Sequence, residues 1–496
     1  MGLARNHSSR RSGAGARDLT QGSIARGIAT FTLPLLGSSL VQLMYSMVDA
    51  LFAGNALGAE GIAAVGASSL AAICQVSFFT GLSVGANVLV ARRFGSGDNA
   101  GVASAAATAL ALAVAGGIVV AAIGFALSPA LSSLMAVPAN VFADATLYLQ
   151  VYFLGVPFIV VYNMSAGVLR GVGDSRTPLV AQVVGGVANV ALDALFVLVL
   201  DFGVAGIAWA TFIAQGIACA WATALVLAPG RLATRAARPD AASLSAILKV
   251  GVPCGLQSLA VTLSNAFVQS VINAGGSAGI AAFTAYFKLE MFIYEPVLAI
   301  GQAATVFTAQ NMGAGRNARV QSGVRCCLGM ACGTAVAVAG VLLALAAPAF
   351  GLFTSDSEVV SIGVSLFFAS LPFYWLYAIV EVYAGASRGT GHASAPMLVI
   401  LCCYAVGRVV LLRATPLASF GDVGVVMVFP ITWAMAAALM FTYYWLGVRP
   451  GIRCMSPHGN GGCERDRAQV RQDNSNIDDG GKAAGETQQQ ASAVCD

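Results

Sequence analysis

Twelve long apolar stretches constrain this chain more than any other feature. A helix that crosses a bilayer needs ~20 mostly apolar residues. Such stretches run approximately over 28–53, 62–90, 102–127, 145–168, 178–200, 205–228, 247–273, 280–308, 322–348, 359–386, 396–416 and 424–447. Several exceed 25 residues, which implies tilt or extension beyond the hydrocarbon. The first is too long for a signal-peptide core, and no small-residue cleavage site follows it. Only 10% of residues are charged and 58% are hydrophobic, with a mean hydropathy of +0.79. A soluble fold with so few charges would present its apolar remainder to water. Soluble enzyme, nucleic-acid binder and disordered scaffold are therefore poor readings. The expected fold is an all-α polytopic membrane protein with twelve transmembrane helices.

The basic residues orient these spans. With the N-terminus in the cytoplasm, all but three of the 26 Lys and Arg residues fall in the tails or in the cytoplasmic connections. The exceptions, Lys288, Arg408 and Arg413, lie within spans, and no outside loop contains a basic residue. The positive-inside rule then places both termini in the cytoplasm of a cell membrane. The tail at 1–25 is rich in Ser, Gly and Arg, and the tail at 449–496 is polar, so both are expected to be disordered.

The two halves repeat at an offset of 218. Arg-Phe-Gly-Ser-Gly-Asp-Asn-Ala at 93–100 matches Asn-Met-Gly-Ala-Gly-Arg-Asn-Ala at 311–318. Leu-Arg-Gly-Val-Gly-Asp at 169–174 matches Ser-Arg-Gly-Thr-Gly-His at 387–392, and Pro178 matches Pro396. Each repeat holds six spans, an even number, so both share one orientation. The expected layout is an N-lobe at 26–228, a cytoplasmic linker at 229–246 and a C-lobe at 247–448, two pseudosymmetric bundles facing a cleft. Gly95-Ser96-Gly97 with Ala100 resembles a degenerate dinucleotide loop, but no strand precedes it, so a short turn is the better account. Neither nucleotide nor nucleic acid is expected as a partner. The 11 cysteines lie mostly in apolar segments and form no CxxC pair, and the histidines His7, His392 and His458 sit in tails or a loop. No metal cofactor is expected.

Ionisable groups inside spans are costly and by default mark sites. The first half has Asp49, about one turn inside the outer end of helix 1, and Asp193, ~10 Å inside helix 5. Thr211 lies ~9 Å into helix 6, so the three share the outer half of the bundle. Gln42, Tyr45 and Asp49 share one helix face, and Asn189 and Asp193 share another. A carboxylate pair with amide and hydroxyl oxygens suits H+ or Na+. Each residue also has a structural alternative. Asp49 would be a hydrated interfacial carboxylate, Asn189 a helix-to-helix hydrogen bonder and Thr211 a packing residue. Pro34 bends helix 1, either as a hinge or as a passive kink. The second half carries Lys288, Glu290 and Glu295 in helix 8, Glu381 in helix 10 and Arg408 in helix 11. Lys288 and Arg408 need partners, with Glu381 and Glu295 the candidates, in a network that serves either structure or coupling.

These residues resemble the multidrug and toxic compound extrusion (MATE) family, in its prokaryotic DinF-like branch. Pro34 with Gln42, Tyr45 and Asp49, the turn at 169–174, and Asn189, Asp193 and Thr211 carry the likeness over approximately 24–447. The resemblance implies two six-helix lobes forming a V, with alternating access. It implies a cation site at Asp49, Asn189, Asp193 and Thr211, beside a substrate cavity at Gln42, Tyr45, Tyr148 and Asn163. Related branches carry an acidic residue in helix 7, and none occurs between Val250 and Asn273 here.

The expected function is export of amphipathic, often cationic small molecules in exchange for H+ or Na+, by a monomer and without a cofactor. The nearest rival is a lipid-linked oligosaccharide flippase of the same superfamily, which would favour a basic cavity. An integral membrane enzyme would need a clustered catalytic set, and no intramembrane histidine or nucleophile–base pair stands out.

Overall fold

A computed structural model describes residues 17–454 apart from 136, 138–141, 229–231, 233–236 and 275, and excludes the side chains at 45–72, 418, 453 and 454. Among the described residues, twelve helices are long and apolar enough to span a membrane. They are α1 (Ile24–Met44), α2 (Ile73–Ser96), α3 (Asn99–Leu134), α4 (Phe142–Gly171), α5 (Arg176–Val199) and α6 (Gly203–Val226) in the first half. The second half has α7 (Ala241–Ile272), α8 (Ser277–Gly313), α9 (Asn317–Ala344), α10 (Ser357–Gly389), α11 (Ser394–Ala414) and α12 (Gly421–Ile452). Both α1 and α2 belong to one helical element, Ile24–Ser96. The backbone of the outer connection expected between 53 and 62 is helical, and its side chains lie outside the description.

Glycine turns display the repeat. Gly97, Gly173 and Gly203 have φ of +79°, +85° and +60°, and their counterparts Gly315, Gly391 and Gly421 have +68°, +91° and +68°. A left-handed backbone is strained for any side chain bearing a Cβ, so both halves need glycine at the same three turns.

Helix contacts inside lipid gain little from the hydrophobic effect, because the tails are as apolar as leucine. Close backbone approach replaces it. In the first half, Gly167 and Gly171 of α4 lie against Ser83 and Asn87 of α2. In the second, the matched Gly385 and Gly389 of α10 lie against Gly301, Thr305 and Thr308 of α8. The two lobes meet by the same device. Gly81 and Gly85 of α2 face Gly251 and Gly255 of α7, and a Cβ on Gly85 would lie 2.1 Å from the Ile247 carbonyl oxygen. Helix α1 crosses between the cores, burying Ile28, Phe31 and Leu35 with second-half residues such as Phe307. Their i, i+3, i+7 spacing is one helical face.

Three expected boundaries shift. The N-terminal tail was expected to be disordered through 25, yet Arg17 to Ser23 is ordered, with Leu19 2% exposed. The linker ends at Asp240 rather than 246, because Asp240 caps α7 by accepting from the Ser243 N–H at 2.6 Å. Its carboxylate also accepts from the Ser104 and Ser243 hydroxyls, tying α3 to α7. Those bonds, Ser104 foremost, hold the Asp240 carboxyl well below its usual value, at about 2. The C-terminal tail was expected to begin at 449, yet helix continues to Ile452, which is buried.

Candidate functional site

Asn189 and Thr211 come together in one cleft between α5 and α6, with Gln182, Gly185, Ala214 and Gln215 around them. The approach depends on Gly185, where an added Cβ would stand 2.9 Å from that of Ala218. Asn189 is 2% exposed and Asp193, one turn further along α5, is fully buried. Both side-chain atoms of Asn189 and the Thr211 hydroxyl are shielded and lack a hydrogen-bond partner among the described residues. A polar group left so in a low-dielectric interior is costly, and such groups collect where a ligand or ion completes them. Immediately after Asp193 the α-helix passes into a π-helical segment, Ala194–Val199. Widened turns of this kind recur at functional sites.

A second cleft lies beside the first. Tyr148 and Gly155 of α4 line it with Thr211, Phe212 and Gln215 of α6, so Thr211 borders both spaces. Hard oxygen donors at Asn189, Asp193 and Thr211 suit a proton or a small hard cation. Apolar and aromatic walls around Tyr148 and Phe212 suit an amphipathic molecule.

The remaining expected residues divide. The side chains of Tyr45 and Asp49 lie outside the described residues. Gln42 is exposed on α1. Pro34 sits within helix, and the Ser38 hydroxyl donates to its carbonyl at 3.0 Å. Asn163 is tied down locally, donating to the Ile159 carbonyl at 2.9 Å and accepting from Thr80 Oγ1 at 3.4 Å. Gln182 and Gln215 were overlooked. The signal was present, since Gln215 is i+4 from Thr211 and Gln182 is i−7 from Asn189, each on the same helix face.

The expected second-half network assembles only in part, as an electrostatic interaction between Glu290 and Arg408. Lys288 is exposed. Glu381 pairs with Arg388 at 3.2 Å, not with Lys288 or Arg408. Glu295 accepts a hydrogen bond from Ser39 of α1. Glu290 accepts from the Tyr374 hydroxyl at 2.9 Å. Arg408, 2% exposed, donates to Asn265 Oδ1 at 2.7 Å and Ser264 Oγ at 3.2 Å. Its guanidinium lies 4.6 Å from the Tyr404 ring centroid and 4.5 Å from that of Phe429. Neutral dipoles and ring faces thus contact this cation directly, and the Glu290 carboxylate acts on it electrostatically. Arg388, expected in the cytoplasmic connection after a span ending at 386, instead lies buried within α10.

Comparison with known proteins fits this geometry. The MatE family profile matches residues 34–195 and 253–412, one block on each repeat. The probable multidrug resistance protein YpnP of Bacillus subtilis is 33% identical over 306 residues, 62% of this chain and 69% of that protein. A solved structure described as the outward-facing conformation of a multidrug resistance MATE family transporter matches with a TM-score of 0.82 at 25% identity. It covers 89% of this chain and 99% of that one. A MOP superfamily transporter from Pyrococcus furiosus, described as having a binding pocket of reverse polarity, gives 0.81 at 25% identity, over 90% and 99%. On the profile match across both repeats, the chain belongs to the MatE family of multi-pass membrane transporters.

Proposed function

We propose that this protein is a monomeric, ion-coupled multidrug exporter that works by alternating access, without nucleotide. The observation that carries the reading is the α5–α6 cleft, where the unsatisfied oxygens of Asn189 and Thr211 meet, with the buried Asp193 one turn along α5 from Asn189. Asp49 of the first helix completes the ion site, and Tyr148 with the Phe212 wall borders the drug cavity. A cytoplasmic orientation of the basic end of the bundle is supported by the distribution of Arg and Lys. The name of the Bacillus subtilis relative, at 33% identity, supports drug export.

In the cycle, the outward-open protein takes H+ or Na+ at the Asp49–Asp193 site. Neutralising that site weakens a bound organic cation, which leaves to the outside. The loaded protein rocks inward and gives up the ion to the cytoplasm. Substrate and ion compete for one negative site, and differential affinity between the two states supplies the coupling.

The test is transport by wild-type protein in proteoliposomes, with a fluorescent organic cation and separately imposed pH and Na+ gradients. One of the two gradients is expected to drive uphill movement and so identify the ion. If neither gradient moves the cation, the exporter reading fails and lipid-linked oligosaccharides become the substrates to try.

A further inference from the structure

The ordered segment just ahead of α1 touches both lobes at the basic end of the bundle. We infer that residues 17–22 form a latch that holds this end closed, and that its release is a step in opening toward the cytoplasm.

Gln310, near the end of α8 and fully buried, is the junction. Its Oε1 accepts from the Leu19 N–H at 3.0 Å, while its Nε2 donates to the Gly171 carbonyl at the end of α4, 2.9 Å away. One side chain therefore grips the strap and the opposite lobe together. The strap's carbonyls have no helical partner, and the second half supplies their donors. Arg319 Nη2 donates to Gln21 at 2.9 Å and Gly22 at 2.8 Å, Arg316 donates to Thr20, and Asn311 Nδ2 donates to Leu19 at 3.3 Å. On its other side the strap lies flat on the first half. A Cβ on Gly173 would stand 2.1 Å from the Arg17 carbonyl oxygen. Asp18 shapes the strap from within, accepting from the Thr20 N–H at 2.9 Å and Gln21 Nε2 at 3.1 Å.

Beneath the strap the lobes meet backbone to backbone, Gly95 against Gln310 and Gly313 against Arg92. Nothing can pass there until α2 and α4 part from α8. Parting them breaks the Gln310–Gly171 bond, and the strap cannot stay on both Gly173 and Arg319. Backbone carbonyls stripped of their donors need water in exchange, so release becomes favourable only as water enters the opening. The balance between closed and open is set by Gln310, Arg316 and Arg319, far from the ion site.

The inference rests on the alternating-access reading only in requiring that the lobes separate at this end. The test is a distance measurement that needs neither substrate nor ion gradient. Spin labels are introduced as unnatural amino acids at Asn99 and Ser394, both exposed at this end in opposite lobes. Pulsed electron double resonance then reads the lobe separation in nanodiscs. Wild type is expected to show mainly the short distance. The double variant Arg316→Ala/Arg319→Ala is expected to raise the ratio of long to short distances by about tenfold, from the loss of several charge-assisted carbonyl bonds. Arg319→Lys, which keeps the charge with fewer donors, falls between. Asp18→Ala, which loosens the strap from within, shifts the ratio the same way and serves if the double variant does not fold. An unchanged distribution in folded variants, even with a lowered melting temperature, overturns the latch and leaves a merely structural strap.

Discussion

Two buried charges in similar membrane surroundings are handled by different means. Arg408 touches neutral dipoles and two aromatic faces and meets Glu290 only electrostatically, whereas Arg388 pairs directly with the Glu381 carboxylate. The repeat sharpens the contrast, because the first-half counterparts of Glu381 and Arg388 are Asn163 and Arg170. Glu381→Gln leaves the Arg388 guanidinium without its counter-charge. It is expected to lower stability by about 3–5 kcal/mol, and the double variant Glu381→Gln/Arg388→Gln to recover most of that loss. Thermal unfolding in detergent checks both, and a double variant no more stable than the single would refute the pairing. At the proposed ion site, Thr211→Ala removes one hard oxygen and leaves the helix intact. It is expected to raise the half-saturating concentration of the coupling ion several-fold, with little change in melting temperature. Ion titration of transport measures this.

The helices are held by glycine ridges more than by large side chains. Gly85 sits against the Ile247 carbonyl, so Gly85→Val overpacks the lobe interface and should cost about 1–3 kcal/mol. Gly116 of α3 has nothing within 4 Å of an added Cβ, so Gly116→Ala should instead stabilise by about 0.5–1 kcal/mol. Melting temperatures of the two variants, moving in opposite directions, check the argument. The α7 cap responds to pH. Because folding lowers the Asp240 carboxyl to about 2, its contribution is complete above the unfolded value of ~3.9 and disappears as pH falls through about 2. Acid titration of wild type should therefore show a loss of stability between pH ~4 and ~2 that Asp240→Asn lacks. The spans themselves were legible in the sequence, since length and hydropathy alone determine whether a segment can sit in lipid. The ridges were not read, although Gly81-x-x-x-Gly85 and Gly251-x-x-x-Gly255 stand in plain view. Glycine spacing does not say which helix it faces.

Taken together, the chain is two matched six-helix halves, joined where α2 meets α7 and closed at the basic end by the strap. The repeat at an offset of 218 is plain in the sequence, and the structure adds three left-handed glycine turns at matched positions. The repeat did not foretell the strap, because the tail's composition signals disorder and its order comes from Gln310 and Arg319, almost 300 residues away. The site was half legible. Helical spacing placed Asn189 and Asp193 on one face, but the shared cleft with Thr211 and the part played by Gln215 depend on how α5 and α6 pack. Ion coupling is proposed to reside at Asp193, where ion and organic cation compete for one negative charge. The deciding measurement compares Asp193→Asn with wild type in one proteoliposome preparation, following both gradient-driven efflux and downhill exchange of the same organic cation. Gradient-driven efflux is expected to be lost in Asp193→Asn, while downhill exchange continues with weakened affinity for the cation. Gradient-driven efflux at the wild-type rate in Asp193→Asn would contradict this coupling role.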